Sequence, residues 1–324
     1  MTSPVTVPVG RRVVVRYRRP AGSHPPLTDV VGVVTAADDE SLTVEGPRGP
    51  VTVRRVDVVV VKAVPPAPVR RGRPHTAIGS TDLERLMADG WRAVEEEWEG
   101  DWLLRASSGF TTRGNSVLPL GDPGLPVEAA LDRAEEWYAG RGLPARVHLV
   151  LPPSGDAADD PLGATLITRG YHVVQPTLVM TAAASDIDPL REGADPVTVE
   201  ATLSARWLEA YARQREVVPG VTEQVLTGSA GQWFLSVAGR SGQIVAVARM
   251  SVHPGWAGLS AVWVDPDSRG RGLGRAVLHA VGLLARQHRL TSVYLQVEAD
   301  HEAAVGLYES DGFRRHHAYA YLTR

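Results

Sequence analysis

The stretch "DSRGRGLGRA", residues 267–276, concentrates the residue types that bind anions. Gly270, Gly272 and Gly274 alternate with Arg269, Arg271, Leu273 and Arg275. Glycine has no Cβ, so several backbone N–H groups can turn into one concavity. A strand-like run, "LSAVWV", precedes the loop. A helix-like run follows, with Leu273, Val277, Val281 and Leu284 on one face. The first turn of that helix adds free N–H groups and the positive end of its dipole. The chemistry implied is phosphate binding without a lysine, reinforced by Arg269, Arg271 or Arg275. Spacing excludes two other phosphate loops. No G-x-x-x-x-G-K-[ST] occurs, and the third glycine of a dinucleotide G-x-G-x-x-G would fall on Arg275.

The elements that must position this loop emerge from the rest of the chain. Its 324 residues allow two or three domains. A net charge of −3 argues against nucleic acid as a partner. The absence of cysteine removes disulfides, thiolate metal sites and cysteine nucleophiles, and fits a reducing cytoplasm. No run of 18 apolar residues calls for a membrane span, and "MTSPVTVPVGRR" lacks the plan of a signal peptide.

Residues 1–63 read as five short strands, from "RRVVVRYRR" to "VDVVVVKAV", which predicts a small SH3-like β-barrel with a structural or docking role. Residues 64–76, "VPPAPVRRGRPH" and one more, read as a proline-stiffened linker whose Arg70, Arg71 and Arg73 are solvated. Beyond it, helices and strands alternate as an α+β pattern. The endings "TLITRGYHVVQPTLVM" and "LYESDGFRRHHAYAYL" superpose when Gly170 is set on Gly312. An internal repeat accounts for this, with one half at 77–184 and the other at 185–324.

Two motifs in the second half carry a resemblance. Arg269-x-x-Gly272-x-Gly274, after a strand ending Val264-Asp265-Pro266, resembles the acetyl-CoA-binding motif of the GCN5-related N-acetyltransferase (GNAT) superfamily. "LQVEADHEAAVGLYESDGF" is similar to that family's closing segment, matching at Ala304, Leu307, Tyr308, Gly312 and Phe313. His301 stands where the family has Asn.

The resemblance implies tandem GNAT folds, each a mixed, mostly antiparallel sheet flanked by helices. It implies that acetyl-CoA lays its pyrophosphate on the amides of Arg269 to Gly274, with Arg275 and His301 nearby. Its pantetheine arm then follows the strand Val262, Trp263 and Val264, pairing with the backbone of Val262 and Val264. Tyr308 matches the usual acid for the leaving thiolate. No Glu stands on "GLSAVWVD", so the base is Glu298, His253, Glu216 or a water chain to Asp265, with Glu298 foremost.

The first half lacks these features. Where the second has its glycine loop, the first has "LGDPGLPVEA" with two prolines, two acids and no arginine, and Leu166 stands for Tyr308. A half without cofactor binding is expected there, although Arg113 and Asn115 in "GFTTRGNSVLPLG" are placed to shape the substrate cleft. The function implied is acetyl transfer from acetyl-CoA to a primary amine of a small molecule or protein. The alternatives are a non-catalytic acetyl-CoA sensor and an enzyme similar to the mycothiol synthases. Neither the acceptor nor the oligomeric state is readable.

Overall fold

The computed structural model describes residues 9, 11–20, 25–46, 49–63, 73–189 and 195–324. The chain divides into two compact units, Met1–Arg71 and Gly72–Arg324. Most of the expected linker, including Arg70 and Arg71, lies outside the described residues. Its end does not: Pro74–Ala77 forms a helical turn, α1, started by a proline at its first position.

The first unit holds five antiparallel strands, β1 (Arg12–Arg18), β2 (Leu27–Ala37), β3 (Ser41–Gly46), β4 (Gly49–Arg54) and β5 (Val58–Ala63), in the order β4-β3-β2-β1-β5. Alternation puts Val13, Val15, Val34, Leu42, Val44 and Val53 into one core. The SH3-like barrel expected from the strand spacing is not confirmed as a closed barrel. Among the described residues β4 and β5 share no ladder, so the sheet stays open at both edges.

The second unit begins with α1, α2 (Ser80–Gly90), β6 (Glu95–Glu99), β7 (Trp102–Ala106), β8 (Leu118–Pro119), α3 (Val127–Ala139), β9 (Arg146–Leu151), α4 (Pro161–Thr168) and β10 (His172–Ala183). It continues with β11 (Val197–Glu200), α5 (Ala205–Ala212), α6 (Val221–Thr227), β12 (Gln232–Ala238), β13 (Ile244–His253), β14 (Trp256–Val264), α7 (Leu273–Gln287), β15 (Ser292–Glu298), α8 (Glu302–Ser310) and β16 (Arg314–Thr323). The order α2-β6-β7-β8-α3-β9-α4-β10 repeats as α6-β12-β13-β14-α7-β15-α8-β16.

The two halves are not separate sheets. One eight-stranded sheet runs β11-β12-β13-β14-β15-β10-β16-β9. The last strand of each half lies beside the penultimate strand of the other: β10 against β15, and β16 against β9. The two exchanged strands pair antiparallel with each other, and Thr177 faces Tyr319. Thr177 and Tyr319 stand as far apart in the chain as Gly170 and Gly312 do, so a local two-fold axis passes through that pair. β6, β7 and β8 form a small separate sheet. Its acidic edge strand, "EEEWE", did not read as a strand in isolation. Helix α3 and the turn after it hold it through Arg141 to Glu95, Trp137 to Glu97 and Arg133 to Glu99.

Candidate active site

Strands β14 and β15 are parallel neighbours, but they pair only from Trp256↔Ser292 to Leu259↔Leu295. Past that point they part. The cause is a bulge in β14: Val247 pairs with Trp263 and Arg249 with Ser260, leaving an extra residue, and Ala261 sits at φ +53°. Asp265 N–H donates to Val245 on β13 at 2.8 Å. Strand alternation then turns the amides of Val262 and Val264 to the open side, and Trp263 toward β13. The Val264 carbonyl indeed meets Arg269, whose Nε donates to it at 3.3 Å. A strand edge whose Val262 and Val264 N–H groups are unpaired is therefore presented into the gap.

The glycine loop follows at once. Asp265 Oδ1 accepts from Asp267 N–H at 3.1 Å and turns the chain. Gly270 and Gly272 take φ +73° and +80°, a region costly for residues with a Cβ. Gly272 is the N-cap of α7, and its carbonyl accepts the first helical bond from Ala276 N–H at 2.9 Å. Among the described residues, the amides of Gly270, Arg271, Gly272, Leu273, Gly274 and Arg275 find no acceptor. Leu273, Val277 and Val281 bury α7 against the sheet and hold this end in place. Six free amides at a helix N-terminus fit a pyrophosphate.

The cations around the loop divide by role. Arg269 and Arg271 are exposed. Arg275 is engaged: Nε donates to Asp311 Oδ2 at 3.0 Å and an Nη to Ser310 Oγ at 3.0 Å. Asp311 also contacts His279 Nε2 at 2.6 Å. Burial would raise the Asp311 carboxyl, but His279 and Arg275 hold it below the usual range. His301 caps α8, its Nδ1 accepting from Ala304 N–H at 3.4 Å.

Tyr308 lies on the inner face of α8 beside Phe313, with ring centroids 5.9 Å apart. It is 7% exposed, and burial alone pushes its hydroxyl up to about 12. The phenol therefore stays protonated across the physiological range.

The four candidate bases differ in setting. Glu298 ends β15 opposite Thr177, three residues past the last pair with β14, and is exposed. His253 is buried and shares hydrogen bonds with Ser251 Oγ at 3.1 Å and Tyr294 Oη at 3.2 Å. Burial and Arg249 push it down to about 4. Glu216 is exposed, and Asp265 is used by the turn. One carboxylate had no signal in the sequence: Glu223 on α6 has a buried Oε2 with no partner.

In the first half, the matching features are filled or missing. Val117 meets Val147 in one parallel bridge. Pro126 caps α3 without an N–H to offer. Asp122 Oδ1 takes the Gly124 amide at 2.8 Å, and Glu128 pairs with Arg169 at 2.6 Å. Leu166 is fully buried in the place of Tyr308.

A splayed pair of parallel strands, a glycine loop of free amides and a tyrosine on the following helix define a GNAT acetyltransferase, here in tandem form. Comparison with known proteins gives the particular family. A family described as "Probable histone acetyltransferase Rv0428c C-terminal" matches residues 80–322, and one described as "Rv0428c N-terminal Sm-like domain" matches residues 7–62. The chain belongs to this Rv0428c-like family of GNAT acetyltransferases. It is 32% identical over 329 residues to "Probable histone acetyltransferase Rv0428c" of Mycobacterium tuberculosis, covering 97% of this chain and 95% of the relative. It is also 33% identical over 210 residues to a mycothiol acetyltransferase of Geodermatophilus obscurus, covering 58% of this chain and 65% of that one. A solved tandem GNAT protein from the clavulanic acid biosynthesis pathway shares the fold at TM-score 0.54 and 14% identity, over 78% of this chain and 90% of its own. No helix among the described residues is long and apolar enough to cross a membrane.

Proposed function

We propose that this protein transfers the acetyl group of acetyl-CoA to a primary amine, and that residues 185–324 carry the site. The observation that supports this most is the row of six unpaired amides from Gly270 to Arg275 at the start of α7. They accept the pyrophosphate, with Arg269 and Arg271 adding charge. Val262 and Val264 extend the backbone pairing of β14 to the pantetheine amides. The gap between β14 and β15 receives the thioester and holds the amine in line with it.

Glu298 takes the ammonium proton through water. The freed amine adds to the thioester carbon, the C–S bond breaks, Tyr308 donates its proton to the departing thiolate, and the second proton leaving the nitrogen returns the tyrosinate to its phenol. Acetyl goes to nitrogen, and CoA leaves as the free thiol. Arg275 serves the site indirectly, fixing α7 to Asp311 at the end of α8.

Titration calorimetry with CoA tests the assignment. One site per chain is expected, abolished by Gly272→Val. Two equal sites would overturn the inert first half, and no binding would overturn the function. Tight binding without thiol release for any amine would establish the sensor reading instead.

A further inference from the structure

The loop between β7 and β8 carries strain for which the first half's own fold has no use. Ser108 and Thr111 stand at φ +46° and +59°, on either side of Gly109 at +84°. Residues with a Cβ hold such angles only where surrounding contacts over-determine them. Asn115 supplies those contacts. It is fully buried, and all four of its hydrogen bonds go to this loop. Oδ1 accepts from Ser107 and Gly109 N–H, both at 2.9 Å, and Nδ2 donates to the Phe110 and Thr111 carbonyls at 2.9 and 2.8 Å. Trp91 Nε1 adds a bond to Thr111 Oγ1 at 3.2 Å.

What this clamp aims is Arg113. Its guanidinium lies 5.3 Å from the Trp91 ring, hydrogen-bonds Tyr319 and interacts electrostatically with Tyr294 and Tyr321. Tyr294 precedes Leu295, the last β15 residue paired with β14, and Tyr319 donates to Gln296 Oε1 at 2.8 Å. Arg113 is thus placed beside the point where the strands part.

The guanidinium has no acid. Among the described residues it makes no ion pair, and its buried Nε has no hydrogen-bond partner. The neighbouring charges do not serve it. Arg249 gives its donors to the Leu226 and Gly90 carbonyls and to Ser229 Oγ. Arg105 gives its donors to Ser116. Glu84, the buried acid, is held by His148 at 3.2 Å and His317 at 2.9 Å. Asp89 is exposed on α2 and acts electrostatically with Arg92. The nearby acids are therefore taken or turned outward, and Arg113, beyond its hydrogen bond to Tyr319, keeps a buried Nε with no partner.

We infer that Arg113 binds a carboxylate carried by the amine acceptor, so that the substrates are amino acids or other amines bearing a free carboxylate. A single planar fork matches one carboxylate bidentately, and leaving its Nε unpaired in a buried setting is costly without such a ligand. The aromatic rings of Trp91, Tyr294 and Tyr319 line the hydrocarbon between the two ends of the acceptor. This rests on the acetyltransferase reading of the β14–β15 gap.

The test compares α-amino acids and ω-amino acids of two to six carbons with their carboxamides, reading free-thiol release from acetyl-CoA. Binding to the CoA complex by calorimetry is the second readout. The wild type should favour the acids at least tenfold in kcat/KM or affinity. Arg113→Gln should bring that ratio to near one with the dissociation constant for CoA unchanged. Arg113→Lys, which keeps charge but not the fork, should fall between and carries the test if the Gln variant does not fold. An acid-to-amide ratio near one in the wild type, the same ratio in wild type and Arg113→Gln, or CoA binding with no acid bound would overturn the inference and leave the acetyl-CoA site standing. Failure to bind CoA at all would instead remove the functional reading beneath it.

Discussion

The starts of α3 and α7 occupy equivalent places in the two halves and treat an approaching anion in opposite ways. At α7, two glycines at positive φ and a glycine N-cap leave six consecutive amides free. At α3, Pro126 removes one amide, Asp122 covers another, and Glu128 adds negative charge. The fold is common to both, and the difference lies in a handful of side chains. A GNAT half therefore keeps its architecture when its loop chemistry is gone, because helix burial and sheet pairing do not depend on the loop.

The largest test of that comparison divides it. Each half supplies the other with its final strand, so fragments 73–184 and 185–324 should be unfolded alone by circular dichroism and regain structure when mixed. A folded, CoA-binding 185–324 would show that the exchanged strands are dispensable. Buried histidines separate the regions next. His253 stays neutral to about pH 4, whereas the unfolded chain protonates it near 6.5. Stability should fall by about 3 kcal/mol as pH drops through that window, and His253→Gln should flatten the denaturation profile there. Glu84 responds differently. Burial would raise its carboxyl, but His148 and His317 hold it well below the ordinary range, so its contribution persists until strongly acid pH.

Gly272→Val should weaken CoA at least ~100-fold, or about 2.7 kcal/mol, by forcing a β-branched residue to φ +80° in the cradle. Gly124→Val, at φ +76° before α3, should cost stability and leave CoA affinity alone. Equal effects on binding would mean that both halves take the ligand. Tyr308→Phe should lower kcat roughly 10- to 100-fold at constant acetyl-CoA affinity. Leu166→Ala should reduce the melting temperature, through a core cavity, without a selective effect on kcat. An unchanged rate in Tyr308→Phe removes it as the acid.

Local patterns were readable before any fold was known. The loop, α7 and α8 were legible because glycine spacing and a 3.6-residue apolar period are properties of short segments. The splay was not, since it depends on a bulge at Ala261 and on where β15 stops pairing. The acidic strand β6 is not legible in the sequence because the side chains that hold its glutamates lie in and just after α3, some 40 residues on. The exchange of β10 and β16 was invisible for the same reason, although the Gly170–Gly312 superposition already contained its symmetry. Arg113 and Asn115 stood out as polar residues at a strand start. Their arrangement with Trp91, Tyr294 and Tyr319 required the two halves to be folded together.

The exchange also bears on how the molecule is made. Strand β9 completes its pairing only with β16, which ends at Thr323. On the ribosome, the first half would emerge with its sheet edge waiting for β16 of the second. Loss of β16 would then leave β9 and β10 each without a neighbouring strand, so the two halves depend on each other. The half proposed to lack a cofactor site thus supplies two strands, β9 and β10, to the sheet that the other half completes.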